Sequence, residues 1–113
     1  MNKIPNTLLI DFRRFFVDGR ETLIARNSKD AVAYLSKNEP YIKVIWMDYR
    51  MGPADNIDIV LSFLALRSKV GMKYPVNMIN VHAPDEAGWQ VLSTKLKNAG
   101  YSVRRETIRD QLE

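Results

Sequence analysis

The chain has 113 residues, 46% apolar and 27% charged, a mixture that suits one globular domain spanning 1–113 and excludes a disordered or fibrous chain. It contains no cysteine, which excludes disulfides, thiolate metal sites and thiol catalysis and fits a reducing, cytoplasmic setting. The formal net charge of +4 is spread along the chain with no aromatic-rich basic motif, which counts against a nucleic-acid partner, and the apolar run Leu8, Leu9, Ile10 is too short for a membrane span or signal core.

Thr7 to Phe12 is a β-favouring apolar run that ends in the polar cluster Asp11, Arg13 and Arg14, and it predicts the first strand. Thr22 to Arg26 predicts a second. Asn27 or Ser28 can cap the helix that follows, in which Ala31, Val32, Tyr34 and Leu35 recur at helical spacing until Asn38 and Pro40 stop it. Ile42 to Met47, apolar apart from Lys43, suits a central strand covered on both faces. It runs into Asp48 and a loop with Gly52 and Pro53. Asp55 is placed to cap the next helix, whose buried stripe is Ile57, Val60, Leu61 and Leu64. Val76 to Val81 predicts the fourth strand, followed by the polar stretch from His82 to Glu86. The third helix carries Trp89, Leu92 and Leu96 on one face, with Gly100 at its left-handed end. Tyr101 to Arg105 predicts the fifth strand, and the tail from Glu106 a short polar helix.

Strands alternating with helices imply right-handed crossovers and an open parallel five-stranded sheet with helices on both faces. The first connection is the exception. Only residues 13–21 separate the first two strands, short for a helical crossover, and Asp18-Gly19 offers the turn of an antiparallel hairpin. An extended crossover is expected, with the first crossover helix shortened or missing, because a reversed second strand would strain the later connections. Phe15 and Phe16 are placed to cover the site of the missing helix.

Open α/β sheets bind ligands outside the carboxyl ends of their strands. That rule selects Asp11 and Arg13 after the first strand, Asp48 and Arg50 after the third, and His82 after the fourth. Asp11 and Asp48 together could hold a hard cation such as Mg2+; either alone could equally cap a helix or bond loop amides. Arg13 could grip a phosphate or make a surface ion pair. Imidazole is the side-chain type whose unperturbed pKa lies near neutrality, so His82, the one histidine, could transfer a proton, or serve the core. Trp46, Trp89, Phe63 and the methionines occupy packing positions.

In order and spacing, Ile10-Asp11-Phe12-Arg13, the apolar strand ending in Asp48 with Gly52-Pro53, Asp55 and Asp58 at a helix start, and Val81-His82-Ala83 resemble response-regulator receiver domains. The closer resemblance is to a divergent relative, the cyclic-phosphate processing receiver-like domain. It covers most of the chain and implies a receiver-like, flavodoxin-like fold, with Asp11 at a Mg2+ site and Asp48 at the phosphate-accepting position. Three departures stand out. Ile10 and Asp11 stand where receivers carry an acidic pair after the first strand. Arg104 and Arg105 replace the lysine that ends the fifth strand of receivers, and Arg50 replaces a second acidic residue after the third. Phosphorelay signalling is therefore not the expectation.

The resemblance implies a ligand with a phosphate group, a cyclic phosphate or nucleotide. In an esterase of that kind Arg13 and Arg50 would bind the phosphodiester, Asp11 and Asp48 would place a metal or water, and His82 would carry the proton. The departures leave open a receiver-like module that binds without turnover, or one that acts through a protein partner or homodimer on a helix face.

Overall fold

The computed structural model describes residues 5–53, 55–83, 85–106 and 112. In chain order the elements are β1 (Thr7–Ile10), β2 (Leu23–Ala25), α1 (Ser28–Lys37), β3 (Val44–Met47), α2 (Asp58–Lys69), β4 (Met78–Val81), α3 (Glu86–Asn98) and β5 (Val103–Arg105). The strands form one sheet in the order β2-β1-β3-β4-β5, every neighbouring pair parallel, which is the flavodoxin-like arrangement. The direction of β2 resolves the first connection as an extended crossover. Asp18-Gly19 does turn the chain, with Gly19 at φ +69° and Arg20 clamped to the Asp18 carboxylate, but the turn lies within the crossover.

Each strand is shorter than its apolar run, and at β1 the cause is local. The Asp11 carboxylate Oδ1 accepts from the backbone N–H groups of both Arg13 and Arg14 at 2.9 Å. This Asx-type turn ends the strand one residue past Ile10 and leaves Phe12 outside the sheet.

The helices start as their polar residues dictate, with one exception. Asn27 caps α1 by accepting from the Asp30 N–H, and Asp85 caps α3 by accepting from the Gly88 N–H. Asp55 does not cap α2: the N-cap residue Ile57 offers no side-chain bond, and the Asp58 N–H is taken by Asn56 Oδ1 at 2.9 Å. The Asp55 carboxylate instead takes the Ser28 N–H at 2.8 Å and so satisfies the start of α1. The packing of α1 on α2 brings that amide within reach of Asp55.

The two sheet faces are covered differently. Leu8, Ile10, Ile45, Met47, Ile79 and Val81 point toward α1, α2 and α3 and close the main core with Leu35, Leu64, Leu92 and Leu96. The opposite face carries a smaller cluster of Leu9, Trp46, Phe16 and Leu112. Phe16 comes from the crossover and meets the Trp46 ring edge-on at 5.1 Å, so it covers the face where a crossover helix is missing, while Phe15 is half exposed. All three described helices thus lie on one face. The short helix expected from Glu106 falls outside the described residues, apart from Leu112. Among the described residues no helix is long and apolar enough to cross a membrane.

Candidate functional site

Register builds the site. Ile10, Met47 and Val81 are paired neighbours at the ends of β1, β3 and β4. The next residue of each strand is therefore Asp11, Asp48 and His82, side by side at the carboxyl edge. The ladder continues through them: the Asp48 N–H donates to Ile10 O at 3.3 Å and the His82 N–H to Met47 O at 3.0 Å. The row extends outward on both sides. The Asp11 N–H donates to Ala25 O, the residue before Arg26, and the Glu106 N–H donates to Val81 O. Adjacent strands lie about 4.8 Å apart. Side-chain ligand atoms of Asp11, Asp48 and His82 accordingly sit within 4.8 Å of one another, all three residues buried.

Every visible oxygen of the two aspartates has a role. Asp11 Oδ1 takes the loop amides, and Asp11 Oδ2 receives His82 Nε2 at 2.8 Å and Arg14 Nη1 at 3.4 Å. Asp48 Oδ1 accepts from the Tyr49 N–H at 2.7 Å, while Asp48 Oδ2 accepts from the same Arg14 Nη1 at 3.1 Å. Burial pushes the Asp11 carboxyl up, but hydrogen bonds from His82 and from the Arg13 and Arg14 amides outweigh it and hold the group well below the usual carboxylate range. Asp11 is thus a buried carboxylate held ionised to well below the usual pH.

Above this row lies an open cleft of about 480 Å³ lined by Asp11, Phe12, Arg13, Arg14, Asp48, Arg50, Gly52 and Asp85. Arg13 is exposed at its rim. Arg50 is 77% exposed and reaches Asp85 at 3.0 Å, which ties the loop after β3 to the start of α3. Phe12 lies flat against Gly52, where a Cβ would come within 2.6 Å of the ring; the residue's φ of +89° also favours glycine. An aromatic face and three arginines therefore surround a buried acidic floor.

The structure brings Asp11, Asp48 and His82 together and leaves Arg13 and Arg50 at the rim. His82 is fully buried, with Nε2 on Asp11 and no partner for Nδ1 among the described residues. It touches the cleft only through Asp11, a different place from that expected of a proton carrier. Two site residues were not anticipated. Arg14 joins both carboxylates, and the Arg26 guanidinium donates to the carbonyl oxygens of Asp11 and Arg14, pinning the loop from below. The Asx turn at Asp11 is the signal that favours Arg14 over Arg13, since it folds the third residue back over the carboxylate.

The donor set of two carboxylates and one imidazole fits a divalent cation in chemistry. Compared with family models, curated proteins and solved structures, the chain matches none.

Proposed function

We propose that this receiver-like domain binds phosphate-bearing small molecules of the cyclic-phosphate or nucleotide type in the cleft above Asp11 and Asp48, and hydrolyses the cyclic ester with a divalent cation. The observation that carries the reading is the in-register row of Asp11, Asp48 and His82 beneath a rim of arginines. Arg13 and Arg50, which line the cleft, would hold phosphoryl oxygens, and Phe12 would offer a face on which a base or sugar can lie. Asp11, Asp48 and His82 would hold the cation, which would supply charge neutralisation and an activated water. An imidazole among the donors suits Mn2+ or another transition ion as well as Mg2+. In the reaction a water oxygen would form a new P–O bond as one ring P–O bond breaks, and the proton the water gives up would pass to the leaving oxygen. With no cation present, His82 Nε2 holds Asp11 Oδ2 in place, a hydrogen bond it would give up on becoming a ligand.

The test is phosphorus NMR of the protein with Mn2+ or Mg2+ and a panel of cyclic phosphates, run beside Asp48→Asn. New phosphomonoester resonances that vanish in the variant are expected. Broadened substrate lines without product would reduce the site to a binding module. Sharp, unchanged lines throughout would remove the phosphate reading altogether.

A second reading, a module that acts by protein interaction, is favoured by α2. Ile59, Phe63, Leu66 and Val70 fall at the i, i+4, i+7, i+11 spacing of a pairing seam, and Ile59, Leu66 and Val70 are 52%, 61% and 60% exposed. Asp58 and Lys69 flank that seam at opposite ends, so an antiparallel pair of α2 helices from two copies sets unlike charges against each other. Dimer formation in sizing experiments over a concentration series, abolished by Leu66→Glu, is expected on this reading. A monomer at every concentration would eliminate the homodimer and leave only binding to a different protein.

A further inference from the structure

Arg14 occupies the place that a metal ion would need. Its Nη1 lies 3.1 Å from Asp48 Oδ2 and 3.4 Å from Asp11 Oδ2. The other oxygen of each carboxylate is engaged by backbone N–H groups of its own loop. The two Oδ2 atoms are thus the ones turned toward the site, and one guanidinium nitrogen holds both. It performs a cation's task, because two buried carboxylates this close repel each other unless positive charge lies between them. A divalent ion on the same oxygens and the guanidinium exclude each other.

The guanidinium has somewhere to go. The Arg14 side chain keeps 16% of its exposure, against 1% for Asp11 and 5% for Asp48, and it forms part of the cleft wall beside Arg13 and Arg50. Its backbone is anchored independently, the N–H on Asp11 Oδ1 and the carbonyl on Arg26. The side chain can therefore swing into the cleft while the loop stays in place. A phosphate there offers it bidentate acceptors in exchange for the carboxylates.

We propose that Arg14 is a resident cation which a divalent metal ion and an anionic phosphate ligand displace together, so that each raises the site's affinity for the other. The inference rests on the reading of the cleft as a metal and phosphate site, and names how that site is regulated. Alone, the metal must expel a guanidinium into solvent, and alone, the anion draws a cation away from two carboxylates. Together each relieves the cost imposed by the other, and the coupling is reciprocal by necessity.

The experiment is a Mn2+ titration read by the electron paramagnetic resonance signal of the free ion, with and without inorganic phosphate in excess, each corrected against protein-free buffer. Wild-type protein is expected to bind Mn2+ weakly alone and about tenfold more tightly with phosphate. Arg14→Met, its fold checked by circular dichroism, is expected to bind Mn2+ tightly without phosphate and to gain nothing from it. Arg14→Lys keeps a cation in place and should retain weak binding in the absence of phosphate, which covers the case of an Arg14→Met variant that fails to fold. If phosphate leaves wild-type Mn2+ affinity unchanged, or if Arg14→Met binds Mn2+ no more tightly than wild type, the displacement proposal falls while the metal site stands. If neither wild type nor Arg14→Met binds Mn2+ under either condition, the metal reading falls with it.

Discussion

Asp11 takes its properties from three directions at once: His82 behind it, the loop amides beside it and Arg14 above it. In the unfolded chain its carboxyl titrates near pH 4. In the folded chain burial opposes ionisation, but the His82 and amide hydrogen bonds prevail and hold the group ionised to lower pH. A depressed folded-state pKa contributes stability that is present above the unfolded value and is lost as the pH falls through that value toward the folded one. Asp11→Asn is expected to cost on the order of 3 kcal/mol at neutral pH, as loss of a buried ionic partner does. It should also flatten the acid limb of stability; urea melts across a pH series read both, and an unaltered acid limb would refute the assignment. At this scale the sequence was informative about acidity and silent about pairing. Asp11, Asp48 and His82 are legible as polar residues that end apolar runs. Arg13 and Arg14 are chemically identical neighbours, and only the turn at Asp11 decides which one faces the carboxylates.

Among the elements, α1 is tied to the segment after α2, and α2 to the segment after α3, by two buried tyrosines. The Tyr74 hydroxyl donates to Leu35 O at 2.6 Å, and the Tyr101 hydroxyl donates to Leu64 O at 2.8 Å while accepting from the Tyr74 N–H. Burial pushes the Tyr74 hydroxyl up to about 12, with the Glu39 charge adding to the shift and Arg67 opposing it. The unfolded chain releases this proton near pH 10. The tyrosine therefore stabilises the fold fully below that pH, and the contribution is lost as the pH rises from about 10 through the folded value. Tyr74→Phe is expected to cost about 1 kcal/mol at neutral pH for the lost hydrogen bond and to reduce the alkaline loss of stability. Tyr101, also shifted upward by burial, would account for the slope that remains. Thermal melts at neutral and alkaline pH would measure both, and equal alkaline losses in the two proteins would contradict the role given to Tyr74. Periodicity located these helices well, because their buried stripes are long enough to distinguish a period of 3.6 from one of 2. It misassigned Asp55, whose partner lies 27 residues away in α1 and is adjacent only in space.

At the scale of the molecule, the two sheet faces have unequal cover, and the row of Asp11, Asp48 and His82 belongs to the thinner side. Leu9, Trp46 and Asn80 are paired neighbours in the strands, so alternation places Asp11, Asp48 and His82 on the same face as the small cluster. The Trp46 and His82 rings lie 6.1 Å apart on that side. Phe16 closes the cluster from the same crossover that carries Arg14. Phe16→Ala is expected to cost about 3 kcal/mol, as removal of a buried aromatic does, and also to weaken Mn2+ binding, since the loop would lose its seat on Trp46. Retained metal affinity in a variant destabilised by that amount would show that the loop is held by Arg26 and the Asx turn alone.

The sequence by itself determined the parallel α/β class, the number of strands, their alternation with helices and the placing of acidic residues and a histidine at strand ends. These follow from local signals: apolar period, capping residues, and the length of chain available between strands. The parallel pairing of β2 with β1 decided between the extended crossover and a hairpin. Tertiary structure alone decided that Ile10, Met47 and Val81 end in register, that Arg14 rather than Arg13 bridges the aspartates, and that His82 turns inward to Asp11. Register is a relation between segments far apart in the chain. A shift of one residue in any strand would turn its terminal polar side chain to the opposite face and dismantle the row.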